Sequence, residues 1–260
     1  MKNKRAFLVM GLAILVAFVF GAVQARADVY MKQKTHTGAF KMMGPSQPEK
    51  DEFMIYWLAP GKARTDQDGG KSFIFLADKK ILYALDHNEK TYAEVPMSID
   101  KMIEEGVEDE EDQEEAKKMA EMMKGIAGGM MGSMSVKVTE TGETKKIRDW
   151  NCRKYLVETN MGPMKSQSET WATQDLKVDY NLYFAVANAM MSMMPGYDKL
   201  VQEMQQIKGV IVYQTSTTKM MGQDMTMTME VLEHSEKSAP AGTYDIPAGY
   251  KKVKGMGRGF

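Results

Sequence analysis

The run EFMIYWLAPGKARTDQDGGKSFIFLADKKILYALDHNEKTYAEV, Glu52 to Val95, decides the fold. Its apolar residues come in short bursts, Glu52 to Leu58, Ala63 to Asp66, Ser72 to Leu76, Lys80 to Asp86 and Thr91 to Val95. Between them stand Ala59-Pro60-Gly61-Lys62, Gln67-Asp68-Gly69-Gly70, Asp78-Lys79 and His87-Asn88-Glu89-Lys90. These separators have the residue types and lengths that close hairpins. Short strands joined by tight turns pair with their neighbours in sequence, so the run predicts an antiparallel meander. Phe53, Ile55 and Trp57 alternate with Met54, Tyr56 and Leu58, which makes both faces of that strand apolar. Such a strand is expected to lie between the core and a covering element.

On the N-terminal side, Val29 to Phe40 reads as a further strand. The residues before it follow another logic. Lys2, Lys4 and Arg5 precede an apolar run from Ala6 to Val23, and Ala25-Arg26-Ala27 ends it with small residues at the −3 and −1 positions. This order of basic, apolar and small residues predicts a signal peptide over 1–27 with cleavage near Ala27, and a periplasmic or secreted mature protein.

On the C-terminal side the strand pattern breaks. From Ser98 to Gly125, Met102, Ile103, Met119, Ala120, Met122 and Met123 recur at helical spacing around an acidic stretch, Glu104 to Glu115, which reads as a solvated insert. Four glycines between Gly125 and Gly132 suggest a hinge. Strands resume at Ser135 to Glu140 and Glu143 to Arg148, joined by an expected tight turn at Thr141-Gly142, and continue through Asn151 to Glu158 and Lys165 to Thr173. Between Ala185 and Gln206, Val186, Met190, Met193, Met194, Tyr197, Leu200, Val201 and Met204 stand at steps of three and four, the period of an amphipathic helix that Pro195-Gly196 interrupts. Val210 to Thr218 and Gln223 to Glu233 return to strand, with a last extended piece at Gly242 to Ile246. One domain over 28–260, with a helical insert at 98–134, accommodates all of these segments.

Composition narrows the function. The 34 basic residues face 35 acidic ones, and the leader removes Lys2, Lys4, Arg5 and Arg26, so the mature chain is net acidic and nucleic acid is excluded as a partner. Cys152 is the one cysteine, which rules out an intramolecular disulfide and reads as a small buried hydrophobe. No catalytic signature is present: there is no G-x-S-x-G, H-E-x-x-H, P-loop or G-x-G-x-x-G, so no catalytic residue is assigned and an enzyme is not expected. Methionine is the outlier, with 27 residues. Flexible thioethers adapt to apolar ligands of varied shape. Met225-Thr226-Met227-Thr228-Met229 places three of them on one face of a strand. Soft thioether ligation of Cu(I) is the competing reading of that cluster together with Met220, Met221 and Met190 to Met194.

The stretch Thr141-Gly142-Glu143-Thr144-Lys145-Lys146-Ile147-Arg148-Asp149-Trp150-Asn151-Cys152-Arg153-Lys154-Tyr155, followed by Glu169-Thr170-Trp171-Ala172-Thr173, resembles the exported bacterial family of unknown function numbered 4412. Ala63-Arg64-Thr65-Asp66, Lys80 to Asp86 with Thr91-Tyr92-Ala93-Glu94, and the closing Tyr244-Asp245-Ile246-Pro247-Ala248-Gly249-Tyr250 fit the same family. The resemblance implies a fold similar to the periplasmic lipoprotein carriers LolA and LolB, an unclosed antiparallel half-barrel whose concave apolar face helices cover. It implies no activity, because the family has none assigned.

Together these readings predict an α+β, mostly antiparallel β chain: a curved, unclosed half-barrel of roughly ten strands with helices covering the concave face. The expected function is an exported binding protein for a lipid, acyl chain or other hydrophobic ligand, with Trp57, Trp171, Met190, Met193, Met194, Met225, Met227 and Met229 lining the site. No cofactor or metal is expected. A protein partner in the cell envelope, met by the acidic insert, is the remaining alternative.

Overall fold

A computed structural model describes residues 27–41, 46–96, 135–161, 164–176, 178, 197–220 and 223–253. The expected signal peptide, the acidic insert, the glycine hinge and Met190, Met193 and Met194 lie outside the described residues.

In chain order the strands are β1 (Val29–Thr37), β2 (Phe40–Lys41), β3 (Ser46–Gln47), β4 (Lys50–Ala59), β5 (Lys62–Gln67), β6 (Lys71–Leu76), β7 (Ile81–Asp86), β8 (Thr91–Pro96), β9 (Ser135–Ile147), β10 (Trp150–Met161) and β11 (Met164–Thr173). A short helix, α1 (Tyr197–Met204), then precedes β12 (Val210–Met220), β13 (Gln223–Glu236) and β14 (Lys251–Lys252). Twelve of these strands form one open sheet in the order β14-β8-β7-β6-β5-β4-β1-β13-β12-β11-β10-β9, and β2 and β3 pair separately. Every pairing is antiparallel except that of β14 with β8. The meander from β4 to β8 is the one the turn residues predict. A second meander runs from β9 to β13, and β1 joins the two by pairing with β4 on one side and β13 on the other.

Side chains alternate along each strand, so register sorts them onto two faces. On the first face Val29, Leu58, Ala63, Phe75, Leu82 and Val95 stand opposite one another across six strands and form one apolar row. It continues into a larger cluster with Met31, Tyr155, Val157, Val212, Met229 and Val231, and Tyr56 and Val178 pack against both. Burying a side chain such as Leu82, which is fully covered, contributes about 2 kcal/mol. On the second face Ile74, Leu76 and Leu85 form a smaller cluster under Tyr244 and Tyr250 of the C-terminal segment. Strands β6 to β8 are therefore buried on both sides. This explains why Phe73-Ile74-Phe75-Leu76 is apolar without alternation.

Among the described residues the chain is not an α+β half-barrel with helices over a concave face. The one helix among them is α1, eight residues long, and most of the remainder is sheet. Of the helical pattern read over 185–206, only Tyr197–Met204 is described as helix. Much of the cover comes instead from irregular segments: Leu176, Val178 and Ile207 pack on the larger cluster, and the 240–250 segment packs on the smaller one. The part of the 185–206 pattern before Tyr197 lies outside the described residues.

Two local readings are also corrected. Thr141-Gly142 is not a hairpin turn, because β9 runs unbroken from Ser135 to Ile147 and bulges there. Gly142 takes φ +78°, and the Thr141 hydroxyl donates to the Lys154 carbonyl of β10 at 3.2 Å, replacing a ladder bond that the bulge removes. The segment from Gly242 to Ile246 is a chain of turns rather than an extended piece, with the Asp245 N–H donating to the Gly242 carbonyl at 3.0 Å.

Candidate functional site

Met225, Met227, Met229 and Val231 alternate on β13 and share the first face. Three cross-strand rows run from the methionines onto β12 and β11: Met225 to Thr218 to Ser166, Met227 to Ser216 to Ser168, and Met229 to Gln214 to Thr170. The last two rows go on to Val157 and Tyr155 of β10. In the other direction Met227, Met229 and Val231 stand opposite Thr37, Thr35 and Gln33 of β1. A lane of hydroxyl and amide groups thus lies between a lane of thioethers and a lane of apolar residues. Ser168 and Ser216 share a hydrogen bond at 2.8 Å, and the Thr218 hydroxyl donates to Ser166 at 3.2 Å.

The lane deepens toward one end. Met225 and Met227 are half-buried, whereas Met229 is buried beside Val231, Val212 and Met31, which are wholly covered. At this deep end three buried polar atoms have no hydrogen-bond partner among the described residues: Thr170 Oγ1, Gln33 Oε1 and His234 Nε2. A buried polar atom left unpaired costs about 1–3 kcal/mol, and native proteins carry few of them.

The sequence-predicted site residues do not all meet. Met225, Met227 and Met229 come together as expected. Trp57 faces the other way, in the row Tyr30, Trp57, Arg64, with its ring centroid 5.0 Å from that of Tyr30 and the Lys237 ammonium 5.3 Å above it. Trp171 stands in the row Lys154, Trp171, Tyr213, Glu230, a different row from that of Met229, although both belong to the larger buried cluster. The Lys145 ammonium lies 4.0 Å from the Trp171 ring centroid, and Lys154 reaches Glu169 at 3.2 Å and Glu143 at 3.4 Å. Glu169, and after it Glu143, holds the Lys154 ammonium above the usual lysine range. The residues that carry the family resemblance here, Thr141, Gly142, Glu143, Lys145, Glu169 and Trp171, therefore build a bulge, an ion-pair network and a cation–π stack. These are devices that fix register.

A second constellation escaped the sequence reading. Asp66 Oδ1 accepts from Arg64 Nε at 2.7 Å and from the Ser72 hydroxyl, which also meets His87 Nε2 at 2.6 Å. His87 Nδ1 meets the Tyr250 hydroxyl at 2.6 Å, and Arg64 donates to the Thr243 carbonyl at 3.0 Å. Burial, and then the Arg64 charge, holds the His87 imidazole below the usual histidine range. A serine beside a histidine suggests a nucleophile, but Ser72 is buried to 1 % exposure and already bonded to three side chains. The arrangement ties the C-terminal segment to β5–β7. Its signal in the sequence was the pair of motifs Ala63-Arg64-Thr65-Asp66 and Tyr244 to Tyr250, which meet here.

A cavity of about 470 Å³ opens on the second face, lined by polar groups including Glu158, Lys165, Gln167, Thr217, Lys219 and Asp224. Such a lining does not suit an apolar ligand. Among the described residues no group of three or more His, Cys, Asp or Glu side chains could hold a metal ion.

Residues 127–250 match a family described as a domain of unknown function, DUF4412, which supports the resemblance over that part of the chain. No curated protein matches. Among solved structures, one titled "Structure of PNGF-II in C2 space group" aligns with 87 % of this chain at 10 % identity and a TM-score of 0.38. This chain covers 31 % of that one, under a third of its length.

Proposed function

We propose that the protein is exported and holds a lipid or acyl chain against the first face of its sheet, along Met225, Met227 and Met229. The carrying observation is the juxtaposition on that face of three thioethers, an apolar lane and buried polar atoms that lack partners. An amphiphile supplies what each of these needs: hydrocarbon for the thioethers, which tolerate imperfect filling, and hydrogen bonds for the unpaired atoms. The residues Ala6 to Val23 with Ala25-Arg26-Ala27 support export.

Native mass spectrometry of the mature protein, residues 28–260, beside an organic extract of the same sample tests this reading. A lipid that leaves the protein on extraction is the expected result. A Cu(I) titration against a chelator is expected to show no tight site. A protein that carries no lipid, takes up none from mixed phospholipid vesicles and binds Cu(I) tightly would overturn the reading in favour of thioether ligation.

A further inference from the structure

The polar end of this site has a composition that selects among amphiphiles, an inference that rests on the proposed function. Gln33 stands opposite Val231, and Met31 opposite His234. Val231 and His234 are three residues apart and still face the same side, because the register shifts between Lys32 and Gln33 and leaves Leu232 as the extra residue of a bulge. The bulge thereby brings the His234 imidazole to the face that carries Gln33, with the fully buried Met31 between them. Cross-strand diagonals of this kind lie about 7–8 Å apart, within reach of one small polar group. Gln33 is only 8 % exposed, and its Oε1 and the Nε2 of His234 both lack a partner among the described residues. Around them are Met31, Met54, Tyr56 and Val231, and the Tyr56 hydroxyl donates to the Met54 sulfur at 2.6 Å.

We propose that Gln33 and His234 bind the uncharged, hydrogen-bonding head of an amphiphile, a hydroxyl or amide, whose chain runs along Met229, Met227 and Met225. The length fits. From Val231 to Met225 is six residues, about 20 Å at 3.4 Å per residue, and one acyl chain spans half of a hydrocarbon core of about 30 Å. The charge fits as well. Lys32 and Glu233 pair with each other on the opposite face, so neither offers a counter-charge to a ligand here. Burial holds the His234 imidazole below the usual histidine range, which keeps it neutral. Among the described residues that register sets around Gln33 and His234 no cation stands to meet an anionic head, which would enter an apolar surround, the costly case for a buried charge.

Displacement of the fluorescent apolar probe N-phenylnaphthylamine from the mature protein at pH 8 tests the inference, with 1-monopalmitoylglycerol and palmitate as competitors. Monopalmitoylglycerol is expected to compete at least tenfold better than palmitate. Gln33→Leu should abolish about tenfold of that preference, the worth of one hydrogen bond of about 1.4 kcal/mol. His234→Leu, made in parallel, should act in the same direction, and reporter affinity read in each titration corrects for any general loss of folding. A preference for monopalmitoylglycerol that survives both substitutions would overturn the inference and assign the unpaired atoms to a buried water. Palmitate binding as well as or better than monopalmitoylglycerol to the native chain would overturn it too, while leaving the apolar site standing. If neither the reporter nor either competitor binds, the proposed function itself fails.

Discussion

Gly209 and Gly142 both adopt positive φ, at +102° and +78°, yet their surroundings differ sharply. A Cβ added at Gly142 meets nothing within 4 Å. At Gly209 it would lie 2.1 Å from the Thr173 carbonyl oxygen and 2.5 Å from the Thr173 carbonyl carbon, both backbone atoms of β11 that no rotamer change can move aside. Gly142→Ala should therefore cost the backbone term alone, about 1–2 kcal/mol. Gly209→Ala adds the cost of forcing the 207–210 turn away from the end of β11. That turn carries Ile207 and Val210, both in the larger core cluster, and the Lys208 N–H that donates to the Tyr155 hydroxyl at 3.2 Å. Overpacking of this kind costs about 1–3 kcal/mol more, so the total is about 2–5 kcal/mol. For a chain of this size each kcal/mol moves Tm by about 2–4 °C, which predicts a drop of about 4 °C for Gly142→Ala and about 10 °C for Gly209→Ala. Urea titrations and thermal melts followed by circular dichroism measure both variants. Equal losses at the two sites would refute the account, because they would leave backbone conformation as the whole effect and the close approach to β11 as inconsequential.

Acid should weaken the attachment of the C-terminal segment. Burial and Arg64 depress the His87 pKa in the fold, so the unfolded chain takes up its proton first, and stability present above the ordinary histidine pKa of about 6.5 falls as the pH drops below it. His87→Gln is expected to flatten the decline in Tm between pH 7.5 and 5.5, with His234, depressed by burial in the same sense, supplying the remainder. An unchanged slope in His87→Gln would contradict this assignment. Cys152 makes a second test. It is 1 % exposed and burial raises its thiol pKa, so an aromatic disulfide reagent at pH 8 should label it only after unfolding in urea. Rapid labelling of the native protein would show that the core around Trp171 and Ala172 opens.

The β4–β8 meander was legible because each hairpin is closed by residues next to it in sequence. Pro60-Gly61, with Gly61 at φ +71°, and Gln67-Asp68-Gly69-Gly70 announce their turns through backbone chemistry alone. The sharing of one face by Met225, Met227 and Met229 was legible for the same kind of reason, since a strand has a period of two. Register sets Trp57 and Trp171 in rows on the other side of their strands from the methionine row, a placement the sequence could not show. Alternation within a strand says nothing about which face of the next strand it continues, and a bulge resets the count. The partnership of Ser72 and His87 with Tyr250 was illegible because 163 residues separate the last two.

By itself, then, the sequence determined that most of this chain would be short antiparallel strands, that its turns would fall where glycine, proline, asparagine and aspartate stand, and that three methionines of β13 would point one way. These are consequences of local backbone preference and side-chain periodicity. Only the tertiary structure decided that β1 would unite two meanders into one twelve-stranded sheet, that irregular segments would supply much of its cover, and that the bulge at Leu232 would set His234 beside Gln33. Those outcomes depend on register between strands as much as 200 residues apart, such as Val29 and Glu236, where packing of whole faces outweighs the preference of any single residue.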